Sequence, residues 1–142
     1  MNRLPERALV IRPEPLSKVL AGTKTWEIRT HSTNIRGLIG LIASGSGEVS
    51  GTCRVVDVKG PLTFQEFRRN ARKWGGGPSD VERGDHLRFY AWVLKGARRL
   101  RRPIPYKHPS GAITWVLLTP SVLRAPRGSS RASRTRGRSG AK

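Results

Sequence analysis

Three charged side chains crowd into the stretch "AGTKTWEIRT" (residues 21–30): Lys24, Glu27 and Arg29, set around Trp26 just after a glycine. A lysine beside a carboxylate is held charged by it, and the two together can grip one polar group of a ligand from both sides. The segment alternates. With Trp26 and Ile28 directed to a core, Glu27 and Arg29 project from the opposite face, and Lys24 reaches the same space from the strand's entrance. The same three residues could also form a solvated surface network, which would contribute little to stability.

A second dense group lies in "ARRLRRP", where Arg98, Arg99, Arg101 and Arg102 fall within five residues. Four like charges at this density repel one another without a counter-charge, so the group suits phosphate. In "HLRFYAWVL", Tyr90 and Trp92 share one face while Phe89, Ala91 and Val93 share the other. Either set could be the buried one. Stacking of a base on an exposed ring there would contribute about 1–3 kcal/mol. His108, close to Tyr106 and Lys107, could shape a cleft wall. His31, His86 and His108 are too scattered for a triad to be argued from order. The glycines of "GSGEVSG" have the wrong spacing for a dinucleotide fingerprint, and no phosphate loop or nucleophile elbow occurs.

The elements that must position these residues are short. "RALVIRP" reads as a strand ended by proline. "PEPLSKVLAG" reads as a helix with Leu16, Val19 and Leu20 on its buried face and Gly22 as its stop. "KTWEIRT" and "RGLIGLIAS" are strands, and "GSG" turns the latter into "EVSGTCRVVDV", which suggests a hairpin. A second helix is expected in "PLTFQEFRRNARKW", with Thr63 as N-cap, Glu66 three residues later, and Phe64 and Phe67 on the buried side. Trp74, next to three glycines, reads as a mobile cap on an apolar edge. "HLRFYAWVL" and "GAITWVLL" are two further strands separated by the basic segment "KGARRLRRPIPYKHPS". A sheet-rich domain of this size avoids exposed edges by closing into a small barrel.

The whole chain has 142 residues, enough for one domain. Its net charge is +19, with 28 basic residues against 9 acidic ones. Such an excess favours a polyanionic partner, because each phosphate contact releases a condensed counterion. Of the 28, 21 are arginines, a bias that a GC-rich genome would also produce. The last 22 residues hold seven cations and no acid, and read as a disordered basic tail. Without them the body still carries +12. One cysteine, Cys53, excludes an internal disulfide, and no Cys/His pairs stand at zinc-ligand spacing. The N-terminus lacks a signal-peptide core and no long apolar run occurs, so a cytoplasmic protein with no membrane partner is expected.

The pattern "IRPEPLSKVLAGTKTWEIRT", then "RGLIGLIAS" and "GTCRVVDV", resembles the ASCH domain family of PUA-like barrels. The family's signature is a helix ending in glycine, then a lysine, a glutamate and an arginine on the next strand. An arginine–glycine pair and a strand ending in small residues follow. Here these fall on Lys24, Glu27, Arg29, the pair Arg36–Gly37, and Ala43 and Ser44. The resemblance spans roughly residues 7–118 and is strongest over 11–58. It implies a barrel with a cleft beside the lysine strand, meeting RNA or a modified nucleoside. Some members are amidohydrolases acting on N4-acetylcytidine through a lysine, a threonine three residues later and a distant glutamate. Lys24 matches, Glu27 stands where the threonine would be, and Glu66, Glu82 and Asp85 are candidates for the distant acid by order alone. Other members are described as ribonucleases, an assignment that no motif here carries.

The expectation is therefore an α+β, mainly β, PUA-like barrel of five or six strands with two helices over residues 1–120, and a disordered arginine-rich tail over 121–142. It binds RNA, DNA or a modified nucleoside and uses no cofactor and no metal. Lys24, Glu27, Arg29, Arg36, Ser44, Tyr90, Trp92 and His108 form the cleft; Arg98, Arg99, Arg101, Arg102 and the tail hold phosphates. The alternative is a hydrolase or ribonuclease with Lys24 and Glu27 as its catalytic groups.

Overall fold

The computed structural model describes residues 4–76 and 88–123. The expected tail falls, from residue 124 on, outside the described residues. In chain order the elements are β1 (Arg7–Ile11), α1 (Pro13–Ala21), β2 (Trp26–Arg29), β3 (Gly37–Ala43), β4 (Glu48–Leu62), α2 (Phe64–Arg69), α3 (Ala71–Trp74), β5 (Phe89–Pro105), β6 (Trp115–Leu117) and α4 (Pro120–Leu123).

The strands form one mixed sheet in the order β2-β5-β4-β3-β1-β6. β1 runs parallel to β3, while the other neighbours are antiparallel. The expected barrel is corrected: β2 and β6 stand at the two ends of the order and do not pair, so the sheet is curled but open. The expected β3–β4 hairpin forms. The basic segment expected to connect two strands is itself strand over most of its length. β5 continues to Pro105, pairing Arg98 with Thr52 and Arg99 with Gly51 on β4. Four register shifts interrupt the β4–β5 ladder, and such irregularities bend and twist a ribbon. Gly51 sits at one of them because nothing larger fits. A Cβ there would come within 2.7 Å of the Arg98 carbonyl oxygen and 2.6 Å of Leu20 Cδ2.

Alternation along β1 and β3 buries both faces of the sheet. Leu9, Ile39 and Leu41 join Leu16 and Val19 of α1, Cys53, Val55, Trp92 and Leu94 in one core. Ala8, Ile42, Val49, Tyr106 and Val116 form a second, smaller core on the other side. α1 begins with proline in its first turn and ends at Gly22, whose φ of 84° is the left-handed conformation that glycine adopts without strain. α2 begins at the expected capping box: Thr63 accepts from the Glu66 N–H at 3.0 Å, and the Glu66 carboxylate accepts from the Thr63 N–H at 2.8 Å. The helix expected here as one piece is broken at Asn70 into α2 and α3.

Candidate functional site

β2 pairs with β5 so that Glu27 lies opposite Trp92 and Arg29 opposite Tyr90. Directly opposed residues point to the same side of a sheet, and that side is the one that buries Trp92 in the larger core. The charged face of β2 is therefore the inward one. Trp26, expected to point into the core, is buried as expected but on the side away from the larger core, where Lys73 of α3 covers its ring at 5.1 Å. Between the two ends of the open sheet, this arrangement leaves a cleft of about 500 Å³, within the range of small-molecule sites.

The cleft holds a buried charge chain. Lys24 and Glu27 are each only 7 % exposed. The Lys24 Nζ donates to the carbonyls of Trp26 at 2.8 Å and Trp74 at 2.7 Å, and stands 3.7 Å from Glu27 Oε1. Glu27 Oε2 accepts from Arg29 Nε at 2.9 Å and lies 2.8 Å from Arg29 Nη2. Arg29 Nη2 also donates to the Val10 carbonyl at 2.9 Å, and the guanidinium lies 5.5 Å from the Trp92 ring centroid. Burial pushes the Lys24 ammonium below its ordinary pKa; the neighbouring Glu27 charge opposes this, and the Lys18 and Arg29 charges reinforce it. Lys18 fixes the end of α3 as well, its Nζ donating to the Gly75 carbonyl at 2.9 Å.

Around this chain the cleft is lined by Arg12, Ile28, Ser44, Phe67, Trp74 and Ile113, among others. Its charged lining is three cations, Arg12, Lys24 and Arg29, against the one carboxylate of Glu27. Phe67 and Trp74 stack with ring centroids 4.6 Å apart, and the Trp74 Nε1 donates to the Phe67 carbonyl at 2.8 Å. Trp74 is therefore a fixed wall of the cleft, not the mobile cap expected. Ile113 is 80 % exposed at the mouth, an apolar side chain open to a ligand.

Of the residues singled out from the sequence, Lys24, Glu27, Arg29 and Ser44 come together here. Trp92 is fully buried, stacked on Trp115 at 5.8 Å with its Nε1 bonded to the His31 carbonyl, so it supports the site from within the core. Tyr90 is half-buried against the same core. Arg36 stays in its own loop, donating to the Thr33 and Ile35 carbonyls. His108 bonds the Tyr106 hydroxyl at 2.8 Å and the Ala112 carbonyl at 2.7 Å, which fastens the loop leading to Ile113. The ring bonds through both nitrogens. Since a carbonyl only accepts, Nε2 carries a proton and donates to Ala112. Arg98, Arg99, Arg101 and Arg102 are exposed on β5, away from the cleft lining. Glu66 is committed to its helix cap, and Glu82 and Asp85 lie outside the described residues.

Sequence reasoning missed Arg12, Trp74 and Ile113. Arg12 and Ile113 carried no signal, and Trp74 contributes a backbone carbonyl, which no residue type announces. Among the described residues no three His, Cys, Asp or Glu side chains gather where they could hold a metal ion. Among them, too, no helix is long and apolar enough to cross a membrane.

Over residues 9–108 the chain matches the family model of the ASCH domain. It is similar in structure to an ASCH protein from Zymomonas mobilis, with a TM-score of 0.63 at 17 % identity, over 80 % of this chain and 87 % of that one. It is equally similar to a tyrosine-to-phenylalanine variant of that protein, with a TM-score of 0.62 at 17 % identity over 81 % and 91 % of the two chains. At that identity the likeness is one of fold. No curated protein matches the chain by sequence.

Proposed function

This chain belongs to the ASCH domain family, and from that premise we propose that it is a nucleic-acid-binding module that takes one base or nucleotide of RNA into the cleft beside β2. The observation that carries this reading is the buried Lys24–Glu27–Arg29 chain, held at the floor of a cavity of nucleotide size that opens to solvent. Buried charges are costly to desolvate and are seldom kept for stability alone. The cations around the cleft exceed the single carboxylate, so it favours a ligand rich in acceptors, such as a base carbonyl or a phosphate oxygen. The Ile113 side chain and the Phe67–Trp74 stack supply apolar surface for the base. The arginines of β5 hold the backbone by charge.

The test is binding of fluorescent single-stranded RNA to the full chain across a salt series. Arg12→Ala and Ser44→Asp alter the exposed lining without touching the buried chain, and both are expected to weaken binding. Lys24→Ala weakens it further. Binding that ignores all three substitutions would remove the cleft from the account and leave only a basic surface.

A second reading is favoured by one observation, the lowered pKa of Lys24. A lysine that releases its proton more readily can act as a base, which suits hydrolysis of N4-acetylcytidine or cleavage of RNA. Turnover of either substrate, lost in a folded Lys24→Ala protein, would establish it. Binding without turnover would dismiss it.

A further inference from the structure

The wall formed by β2 and the α2–α3 pair has a second cavity behind it, of about 330 Å³. Lys59, Arg69 and Lys73 line it, with Glu66 as the one carboxylate. That carboxylate is already occupied by the Thr63 N–H. Asn70 is occupied too, its Nδ2 donating to the Glu66 carbonyl at 2.8 Å. Lys59 has a loose partner in Asp57 at 3.5 Å, both side chains half-exposed. Among the described residues the Arg69 side chain makes no hydrogen bond and no ion pair, although its charge helps hold the Glu66 carboxyl ionised, and the Lys73 side chain is engaged only with the face of Trp26. A guanidinium fork with no hydrogen-bond acceptor and an ammonium held only by a ring face thus stand at one concave, polar site. Three cations against one carboxylate leave an excess of positive charge, and a phosphate between Arg69 and Lys73 offsets that excess while accepting from both.

The cavity is tied to the cleft residue by residue. Trp26 gives its carbonyl to Lys24 in the cleft and is itself a lining residue of the cavity. Glu66 and Lys73 line the cavity, while their chain neighbours Phe67 and Trp74 line the cleft. The two hollows are thus lined by neighbouring residues of β2, α2 and α3.

The geometry points to the second cavity as the seat of a backbone phosphate of the same nucleic-acid strand whose nucleotide occupies the cleft, with Arg69 and Lys73 as its ligands and Lys59 as a supporting charge. This rests on the nucleic-acid reading above. The protein then binds a strand across the β2–α3 wall, and a mononucleotide fills only half of its site.

The experiment compares two double substitutions in the full chain: Arg69→Gln with Lys73→Gln, and, as a control of equal charge, Arg68→Gln with Arg72→Gln. Arg68 and Arg72 are exposed on the same helices but do not line the cavity. The probes are labelled uridine monophosphate and octauridylate over a salt series, with thermal unfolding confirming that each variant is folded. With the Arg69/Lys73 pair changed, the salt dependence for the octamer is expected to flatten by about 1.4 log units per log unit of salt, about 0.7 for each lost contact on a single strand. Monophosphate binding stays as it was, and the control pair moves the slope by less than half as much. Equal effects of the two pairs, or no effect of the first, overturn the proposal. A loss at Arg69/Lys73 in a protein whose cleft substitutions change nothing overturns the cleft reading instead and leaves the cavity a phosphate site.

Discussion

Arg29 on β2 donates to the carbonyl of Val10 on β1 at 2.9 Å, across the seam where the sheet does not close. A guanidinium thus spans the gap that a ladder would fill in a closed barrel. The same Nη2, together with Nε, also grips Glu27. Arg29→Lys keeps the charge but loses the fork, and is expected to cost about 1–3 kcal/mol in denaturant unfolding, the range for hydrogen bonds to charged groups and for leaving one partner unsatisfied. Unchanged stability would mean the bridge contributes nothing to holding the seam.

Among the described residues Glu27 is the one counter-charge of the buried Lys24 and the part-buried Arg29. Glu27→Ala leaves Lys24 and Arg29 facing each other without it, and a loss of about 3–5 kcal/mol is expected, the range for breaking a buried pair from one side. Lys24→Met is expected to cost less, because Glu27 retains Arg29. Urea unfolding of both variants checks the order, and the reverse order would refute this account of the charge chain.

The lowered pKa of Lys24 sets a pH dependence for binding. An anionic ligand drawn by the charge of the ammonium binds more tightly below the folded pKa and more weakly as pH rises through it, and burial places that point below the titration of an ordinary lysine. RNA affinity should therefore fall on the alkaline side earlier than lysine chemistry alone would dictate. The Lys24→Met protein should lack that step; a step that persists in it belongs to another group.

Cys53 is fully buried, and burial foremost, then the Glu27 charge, pushes its thiol up to about 12. The thiolate is the reactive form, so the native protein should resist a disulfide reagent at neutral pH and react at the rate at which it opens. Rapid labelling of folded protein would contradict the burial.

The cap of α2 should be worth about 1 kcal/mol, measured as the destabilisation caused by Thr63→Ala. The Glu66 carboxyl, held below its ordinary value chiefly by the Thr63 hydrogen bonds, stays ionised through neutral pH. Its contribution is complete above the ordinary carboxylate range and fades as pH falls through the depressed folded value. In Thr63→Ala the acid loss of stability should be shallower than in the parent protein, which stability measurements from pH 7 downward would reveal.

Local signals were readable where a residue type dictates a local conformation. The glycine after α1, the Thr63–Glu66 box and the hairpin before β4 are of that kind. The charge trio was readable as a group, but not its direction. The alternation of β2 is satisfied with either face inward, and only the pairing of Glu27 with Trp92 across β5 decides it. The arginines of β5 looked like a connection because charge and proline disfavour a buried strand. An exposed two-stranded ribbon with a broken ladder tolerates both. Closure of the sheet was a general argument about edges, and this chain answers it locally, with the Arg29 side chain at one seam.

The two carbonyls that hold Lys24 give its proton count a structural meaning. An ammonium has three hydrogens for three neighbours: the Trp26 carbonyl, the Trp74 carbonyl and the Glu27 carboxylate. A neutral amine has two, and a lone pair that a carboxylate repels. Loss of one proton therefore leaves the two short bonds to carbonyls intact and turns the third contact from attraction to aversion, so that Glu27 belongs to Arg29 alone. A single nitrogen counts its hydrogens, and the count decides whether Glu27 is shared between Lys24 and Arg29 or left to Arg29.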